Sequence, residues 1–433
     1  MDRIPLSRPH RLPRLPRRPR LRRPPRPRAL ALPALLLALA TITTACTGSG
    51  GSAGADSRNG KSTQTTGSSA KVAVTPAAGT SGVSPGAPVK VAVTGGTLRT
   101  VTVTPVGDAT DGVHPIEVTG ALDAARTSWT SNRTMTPGTA YTVTATAADS
   151  AGRQTRTTST FHTITAGRIN GVTPTPLNNA VVGVGLPISL QFDKPVADKA
   201  AVQRALSVTT TPATPGSWGW VTTQTGYDRV DWRPDAYWKP GTKVTLTAKL
   251  SGIDTGGGRY LRRDVHDTFS IGPSRISYVD LRAHRMRVTE NGRTVKVFPV
   301  SAGQARFPTW DGTMVVISKQ STVRMTSSSV NIATAKDSAD FYDKDVHWAV
   351  NITTSGTYTH AAPWNAAFIG KENKSHGCIG MNTADAKWFF DRAKRGDLVI
   401  STGSNRGTVD PGNGYGDWNL STAQWHARSA LDR

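Results

Sequence analysis

Two stretches 103 residues apart carry the same turn followed by the same strand. Thr136-Pro137-Gly138-Thr139 leads into Tyr141-Thr142-Val143-Thr144, and Lys239-Pro240-Gly241-Thr242 leads into Val244-Thr245-Leu246-Thr247. Proline presets one turn position and glycine accepts the left-handed one, so each quartet reads as a tight turn. The residues that follow alternate apolar and Thr, the period of a strand buried on one face. The same alternation runs through Val89-Lys90-Val91-Ala92-Val93 and Val101-Thr102-Val103. A repeat of about 100 residues fits a duplicated β-sandwich, and predicts one over residues 71–166 and a second over 167–272. Ala147-Ala148-Asp149-Ser150-Ala151-Gly152 reads as a hairpin turn in the first. In the second, Trp218, Trp220, Trp232 and Trp238 supply large apolar area. Core or interface packing is preferred for them over a carbohydrate platform.

Both halves of the repeat follow the plan of an Ig-like domain. Length allows two to four domains in 433 residues. Gly and Pro together number 70, helix signals are few, and the expectation is a mostly β protein. Two cysteines rule out a disulfide framework. Residues 1–28 hold 11 Arg and one Asp, and residues 29–45 are almost wholly apolar or small. That is the layout of an export signal; the apolar run is short for a membrane span and contains Pro33. Residues 46–70 are rich in Gly, Ser and Thr and read as a flexible tether. The whole chain carries a net charge of +23, and 41 basic against 28 acidic residues remain beyond residue 45. A basic exterior suits an anionic cell wall. Nucleic acid is disfavoured, because the charges are scattered and no basic helix or aromatic platform accompanies them.

The remaining chain, 273–402, opens with strands around Arg285-Met286-Arg287-Val288 and Val295 to Val300, joined by the turn Glu290-Asn291-Gly292-Arg293. Met314-Val315-Val316-Ile317 and Leu398-Val399-Ile400 are further strands. Thr383 to Arg395 reads as the one main helix, with Thr383 as its N-cap and Gly396 as its stop. Residues 403–433 form a tail rich in Gly and Asp with Trp418 and Trp425. Exposing two Trp would be costly, so the tail is expected to dock.

Cys378 is the only thiol outside the leader, since the other cysteine is Cys46. It follows Ser375-His376-Gly377 and lies 18 residues after His360. Lone Cys and His residues are often plain core residues. A thiol beside an imidazole is also a nucleophile–base pair, in which the imidazole lowers the thiol pKa. The Gly377 backbone can lie open, so that the Gly377 and Cys378 N–H groups aim at a developing oxyanion. A metal site lacks a clear fourth ligand.

Thr359-His360, then 14 residues, then Ser375-His376-Gly377-Cys378 resembles the signature of the L,D-transpeptidases, the YkuD-type catalytic domain. The likeness continues through Ala362-Pro363-Trp364, Trp388-Phe389-Phe390-Asp391, Lys394-Arg395-Gly396-Asp397 and Gly416-Asp417-Trp418-Asn419. It resembles the multidomain mycobacterial type, with two Ig-like β-sandwich domains ahead of a β-rich catalytic domain and a C-terminal extension packed back on it. The resemblance implies no cofactor and a cysteine acyl-enzyme: Cys378 takes the acyl group of a peptidoglycan stem tetrapeptide, releases D-Ala, and passes the acyl group to the amine of an acceptor stem, giving a 3→3 cross-link. L,D-carboxypeptidase or exchange activity through the same acyl-enzyme is the alternative, as is an inactive wall-binding lipoprotein. It implies His360 as base, oriented by the main-chain carbonyl of Ala361. It implies His376 as a shaper of the loop. Tyr342 is implied on a flap over the site, where the competing reading is an ordinary surface or core aromatic. Ser355 and Gly356 would form a substrate-facing turn, with Met325 and Trp364 also toward substrate. Carbapenems are expected to acylate Cys378. The family usually has Asn two residues after the cysteine, where this chain has Gly380. Asn382 is the natural substitute toward substrate; equally, it caps the following helix. Thr43-Thr44-Ala45-Cys46 resembles a lipobox, which implies a diacylated Cys46 holding the protein on the bacterial plasma membrane; an ordinary secretory signal is the competing reading.

Overall fold

The computed structural model describes residues 67–107, 114–165 and 167–431. The expected leader, Cys46 and most of the tether lie outside them. The rest is mostly β, and three apolar clusters follow one another along the chain.

The first cluster lies between a four-stranded sheet (Lys71–Thr75, Lys90–Thr94, Ser128–Ser131, Gly120–Leu122) and a three-stranded one (Thr97–Val106, Ala140–Ala148, Gln154–His162). Alternation decides which side chains enter it. Along Ala140–Ala148, Tyr141, Val143, Ala145 and Ala147 are fully buried while the Thr between them point outward. The Tyr141 hydroxyl accepts from the Thr136 N–H (2.9 Å) and donates to the Ile116 carbonyl (3.1 Å), tying the Pro-Gly turn to the core.

The second cluster repeats the plan. One sheet holds Gly216–Thr222, Asp228–Pro234, Ile188–Phe192 and Val172–Thr175; the other holds Val181–Val182, Val265–Ile271, Lys243–Ala248 and Leu206–Thr211. The turns at the two ends of the repeat match in detail: Gly138 and Gly241 both take positive φ (+66° and +82°). All four Trp are buried here, with Trp232 and Trp238 rings 5.2 Å apart. The Trp238 indole N–H donates to the Leu186 carbonyl (2.8 Å), so burial leaves its polar edge paired.

The third cluster joins a five-stranded sheet to a four-stranded one. The four-stranded sheet runs in the order Ser318–Thr326, Asp343–Asn351, Tyr358–Ala361, Ile379–Met381. Its last two strands are parallel, with His360 opposite Gly380. The helix Thr383–Arg392 packs Ala386 and Phe389 into this core. It differs from the expected span at both ends. Asn382, not Thr383, is the N-cap, and the helix stops three residues before Arg395. Ala393 turns out of helical geometry (ψ 133°), and the Asp397 carboxylate takes the Lys394 N–H (2.9 Å) that another turn would have used.

The tail packs against both neighbours. Trp425 is fully buried over Gly219, where a Cβ would strike its ring, and its indole N–H donates to the Ser217 carbonyl (3.1 Å). The Trp418 indole N–H reaches the Gly185 carbonyl (2.7 Å). Asn419 brackets the Thr313 backbone, accepting its N–H (2.8 Å) and donating to its carbonyl (3.0 Å).

Candidate active site

The parallel pair of strands builds the site. Cys378 precedes Ile379, and Ile379 pairs with Thr359, so the thiol sits at the mouth of the ladder, with His360 two register positions further along on the neighbouring strand and therefore on the same face. Both line a cavity of about 610 Å³. Of the expected residues, His376, Tyr342, Ser355, Gly356, Met325 and Trp364 also line it. Gly377, Ala361 and Asn382 are not on its wall.

His360 is 5% exposed. Its Nδ1 lies 2.8 Å from the Ala361 carbonyl oxygen, so that nitrogen carries the proton and Nε2 keeps its lone pair. The ring stacks on Trp364 (5.9 Å, 23°), and the Lys344 ammonium also lies over the Trp364 ring, at 4.4 Å. Burial draws the imidazole pKa below its usual value, against the opposing pull of the Ala361 carbonyl, and the Lys344 charge adds to the lowering. A neutral base is the result.

The thiol corrects one expectation. Cys378 is reachable from the cavity but crowded by protein, and burial pushes its pKa up to about 11 rather than down; the Tyr358 N–H opposes this only in part. The proton is also held: among the described residues the hydrogen-bond acceptor of Sγ is the Gly356 carbonyl at 3.7 Å, not His360. Imidazole proximity alone does not make a thiolate when the imidazole is neutral.

At rest the two N–H groups expected at the oxyanion differ. The Gly377 N–H already donates to Ser375 Oγ (3.1 Å), which itself donates to the Cys378 carbonyl (2.6 Å). The Cys378 N–H has no hydrogen-bond partner among the described residues and is the open donor. Gly377 has φ +114°, and its carbonyl accepts from Thr309 Oγ1 (2.9 Å), so this conformation requires glycine and is pinned.

His376 sits between the Phe307 and Tyr342 rings (4.8 and 5.2 Å). Its Nε2 is 3.5 Å from Asp340 Oδ1, close enough for an ion pair if protonated but without hydrogen-bond geometry. It thus contacts two aromatic rings that line the cavity. Burial pushes the Tyr342 phenol up to about 12, aided by the Cys378 charge, so it stays neutral at physiological pH.

Asn382 needs a second correction. Gly380, where the family has Asn, is held in place: its N–H and carbonyl both bond Ser301 (2.8 and 2.9 Å), and a Cβ would come 2.9 Å from the Ala362 Cβ. Asn382 does not take over toward substrate. Its carbonyl accepts the Asp385 N–H (2.8 Å) and its amide donates to the Asp385 carboxylate (2.6 Å), the work of a helix cap. Asn382→Ala is therefore expected to cost about 1 kcal/mol in stability with unchanged turnover of the folded enzyme. A thermal melt and an activity assay on one preparation check this, and a large loss of turnover would return Asn382 to the site.

Four cationic residues on the wall were not anticipated: Arg306, Lys344, Lys374 and Arg406. Arg306 is paired with Asp340 and Lys374 with Glu372. Arg406 comes from the tail, held by the Pro308 carbonyl (2.9 Å) and stacked on Trp310 (3.8 Å).

Residues 274–400 match the L,D-transpeptidase catalytic domain family, and residues 80–254 match the bacterial Ig domain family in one span across both sandwiches. L,D-transpeptidase 2 of Mycobacterium tuberculosis is 34% identical over 352 residues, 81% of this chain and 83% of that protein. The chain belongs to the L,D-transpeptidase family. L,D-transpeptidase 5 of the same species is 30% identical over 364 residues, covering 83% of this chain and 77% of its own. The crystal structure of L,D-transpeptidase 3 from Mycobacterium tuberculosis aligns with 54% of this chain and 99% of its own at 30% identity, with a TM-score of 0.45. As in the family, the fold is mostly β, an Ig-like region followed by the transpeptidase domain.

Proposed function

We propose that this transpeptidase joins peptidoglycan stems by 3→3 cross-links through a thioester on Cys378. The observation that carries the reading is the pair itself: a thiol on the wall of a 610 Å³ cavity, two ladder steps from, and so on the same face as, a buried neutral imidazole whose Nδ1 is fixed by Ala361 and whose Nε2 keeps its lone pair. Sγ attacks the carbonyl carbon of the third stem residue, and its proton passes to His360 Nε2. The carbonyl oxygen becomes an oxyanion facing the Cys378 N–H. Collapse breaks the C–N bond, D-Ala leaves as an amine carrying the proton from His360, and a thioester remains. An acceptor amine then attacks the thioester, loses a proton to His360, and returns the sulfur as a thiol. The thioester conserves acyl energy, so no ATP is needed outside the membrane. A carbapenem, as a strained acyl donor, would leave a stable thioester at the same sulfur. The leader and lipobox-like Thr43-Thr44-Ala45-Cys46 support an enzyme anchored to the membrane and facing the wall.

The test is mass spectrometry of products from purified protein and a stem tetrapeptide. A cross-linked dimer with released D-Ala is expected. A tripeptide alone assigns carboxypeptidase activity, and no product at all overturns the reading.

A further inference from the structure

The turn that holds the Cys378 proton is itself held from outside the catalytic sheets. Thr353–Gly356 links the strands Asp343–Asn351 and Tyr358–Ala361, and Gly356 ends it at φ +93° with its carbonyl toward the sulfur. Inside the turn, Thr353 Oγ1 accepts the Thr357 N–H (2.9 Å) and meets Ser355 Oγ (3.1 Å). Those bonds shape the loop but do not fix it against the body.

Asn413 does that. It lies in the tail and is 1% exposed. Its Oδ1 accepts from the Ser355 N–H (2.8 Å) and from Thr354 Oγ1 (3.1 Å), and its Nδ2 donates to Ser355 Oγ (2.9 Å). The next residue adds a fourth bond, Gly414 N–H to Thr354 Oγ1 (3.0 Å). The tail segment is in turn bound to the second sandwich. The Gln224 N–H donates to the Gly412 carbonyl (3.2 Å), and Arg229 Nη2 donates to the Pro411 carbonyl (3.1 Å). Arg229 is locked by a buried ion pair to Asp231 (2.7 Å). Gly412 lies so close to the Thr222 carbonyl that any Cβ would collide with it.

We propose that Asn413 is a positioning residue for the thiol: through the Thr353–Gly356 turn it sets where the Gly356 carbonyl meets Cys378, and so makes the tail and the second sandwich part of the catalytic machinery. The effect on turnover rests on the acyl-transfer reading above; the effect on the thiol does not. Removing the Asn413 side chain strips three hydrogen bonds from the turn and leaves the half-buried Ser355 N–H without its acceptor. The turn must then move. An error of about 1 Å in a reacting geometry can cost on the order of 100-fold in rate. A displaced Gly356 carbonyl also stops stabilising the protonated thiol, which eases its ionisation.

The test uses the chain with both sandwiches and the tail, as wild type, Asn413→Ala and the milder Thr354→Val, which removes the hydroxyl shared by Asn413 and Gly414. Three quantities are read: thermal melting, kcat/KM for D-Ala release from a stem tetrapeptide, and the rate of Cys378 alkylation by iodoacetamide against pH without substrate. Asn413→Ala is expected to lower kcat/KM by about 10- to 100-fold and to alkylate about threefold or more faster at pH 8. Thr354→Val shifts both in the same directions by less. The other ionisable groups facing the cavity from the surrounding elements, chiefly Tyr342, Lys344, His360, Lys374, His376 and Arg406, are chemically unaltered. Unchanged alkylation in the folded variants overturns the proposal whatever the turnover, because a merely structural loss would lower melting and activity without moving the thiol. If wild type releases no D-Ala, the acyl-transfer reading fails, and the alkylation profiles still decide the role of Asn413.

Discussion

Cys378→Ala is expected to reduce acyl transfer by at least about 10⁴-fold, the scale seen when a nucleophile is deleted from other covalent catalysts, while the protein stays folded. Cys378 is the only cysteine among the described residues, and no neighbour can replace it. The hydroxyl of the same loop, Ser375 Oγ, is engaged at both ends, accepting from the Gly377 N–H and donating to the Cys378 carbonyl. The fold tolerates the change because the adjacent strand is fixed by its backbone: Ile379–Met381 pairs with Tyr358–Ala361 on one side, and Gly380 bonds Ser301 on the other. The lost sulfur faces the cavity, so stability should move by no more than about 1 kcal/mol. Intact-protein mass spectrometry with substrate should show an acyl adduct on wild type and none on the variant, with D-Ala release at background. Normal release by Cys378→Ala would remove the thioester from the mechanism.

What could be read from the sequence was local. The sandwiches were legible because Val/Thr alternation has the strand period and Pro-Gly turns fall at matching places. The orientation of His360 was legible because its partner is the carbonyl of the next residue, which chain connectivity alone keeps near. The end of the helix was missed for a local reason as well: Lys394 and Arg395 favour helix, but Asp397 captures the Lys394 N–H and Gly396 turns away at φ +92°. Asn382 shows a familiar competition. Its two roles were equally open by residue type, and its own helix, three residues away, claimed the side chain first. Asn413 and Arg406 gave no signal. They reach the site because the tail folds back across it, and nothing in the spacing of a Gly- and Asp-rich segment encodes that return. The thiol pKa was unreadable for a related reason: its sign depends on how many distant segments crowd the sulfur.

His360→Gln is expected to lower kcat/KM by about 10²- to 10⁴-fold at neutral pH, the usual worth of a positioned general base, with the deficit shrinking toward pH 11. Both starting states are neutral. Burial holds the imidazole below its ordinary value and pushes the thiol up to about 11. At pH 7 a thiol of that pKa is ionised to about one part in 10⁴, against about 3% for an ordinary cysteine. Attack therefore needs the proton removed as the C–S bond forms, and His360 Nε2 is the lone pair placed to take it. The sign of the pH profile follows. As pH falls through the lowered imidazole pKa the base is protonated and kcat/KM drops; above it, wild-type activity is level through neutrality. The free enzyme without substrate behaves differently: its alkylation by iodoacetamide is slow at pH 7 and climbs close to tenfold per pH unit toward 11. In His360→Gln, solution supplies the thiolate only at high pH, so the variant's turnover climbs with that same slope and approaches wild type there. A preformed thiolate–imidazolium pair would instead alkylate rapidly at pH 5–6. Rapid alkylation in that range by wild type, lost in His360→Gln, would show that the pair is charged at rest and that the neutral-pair mechanism is wrong.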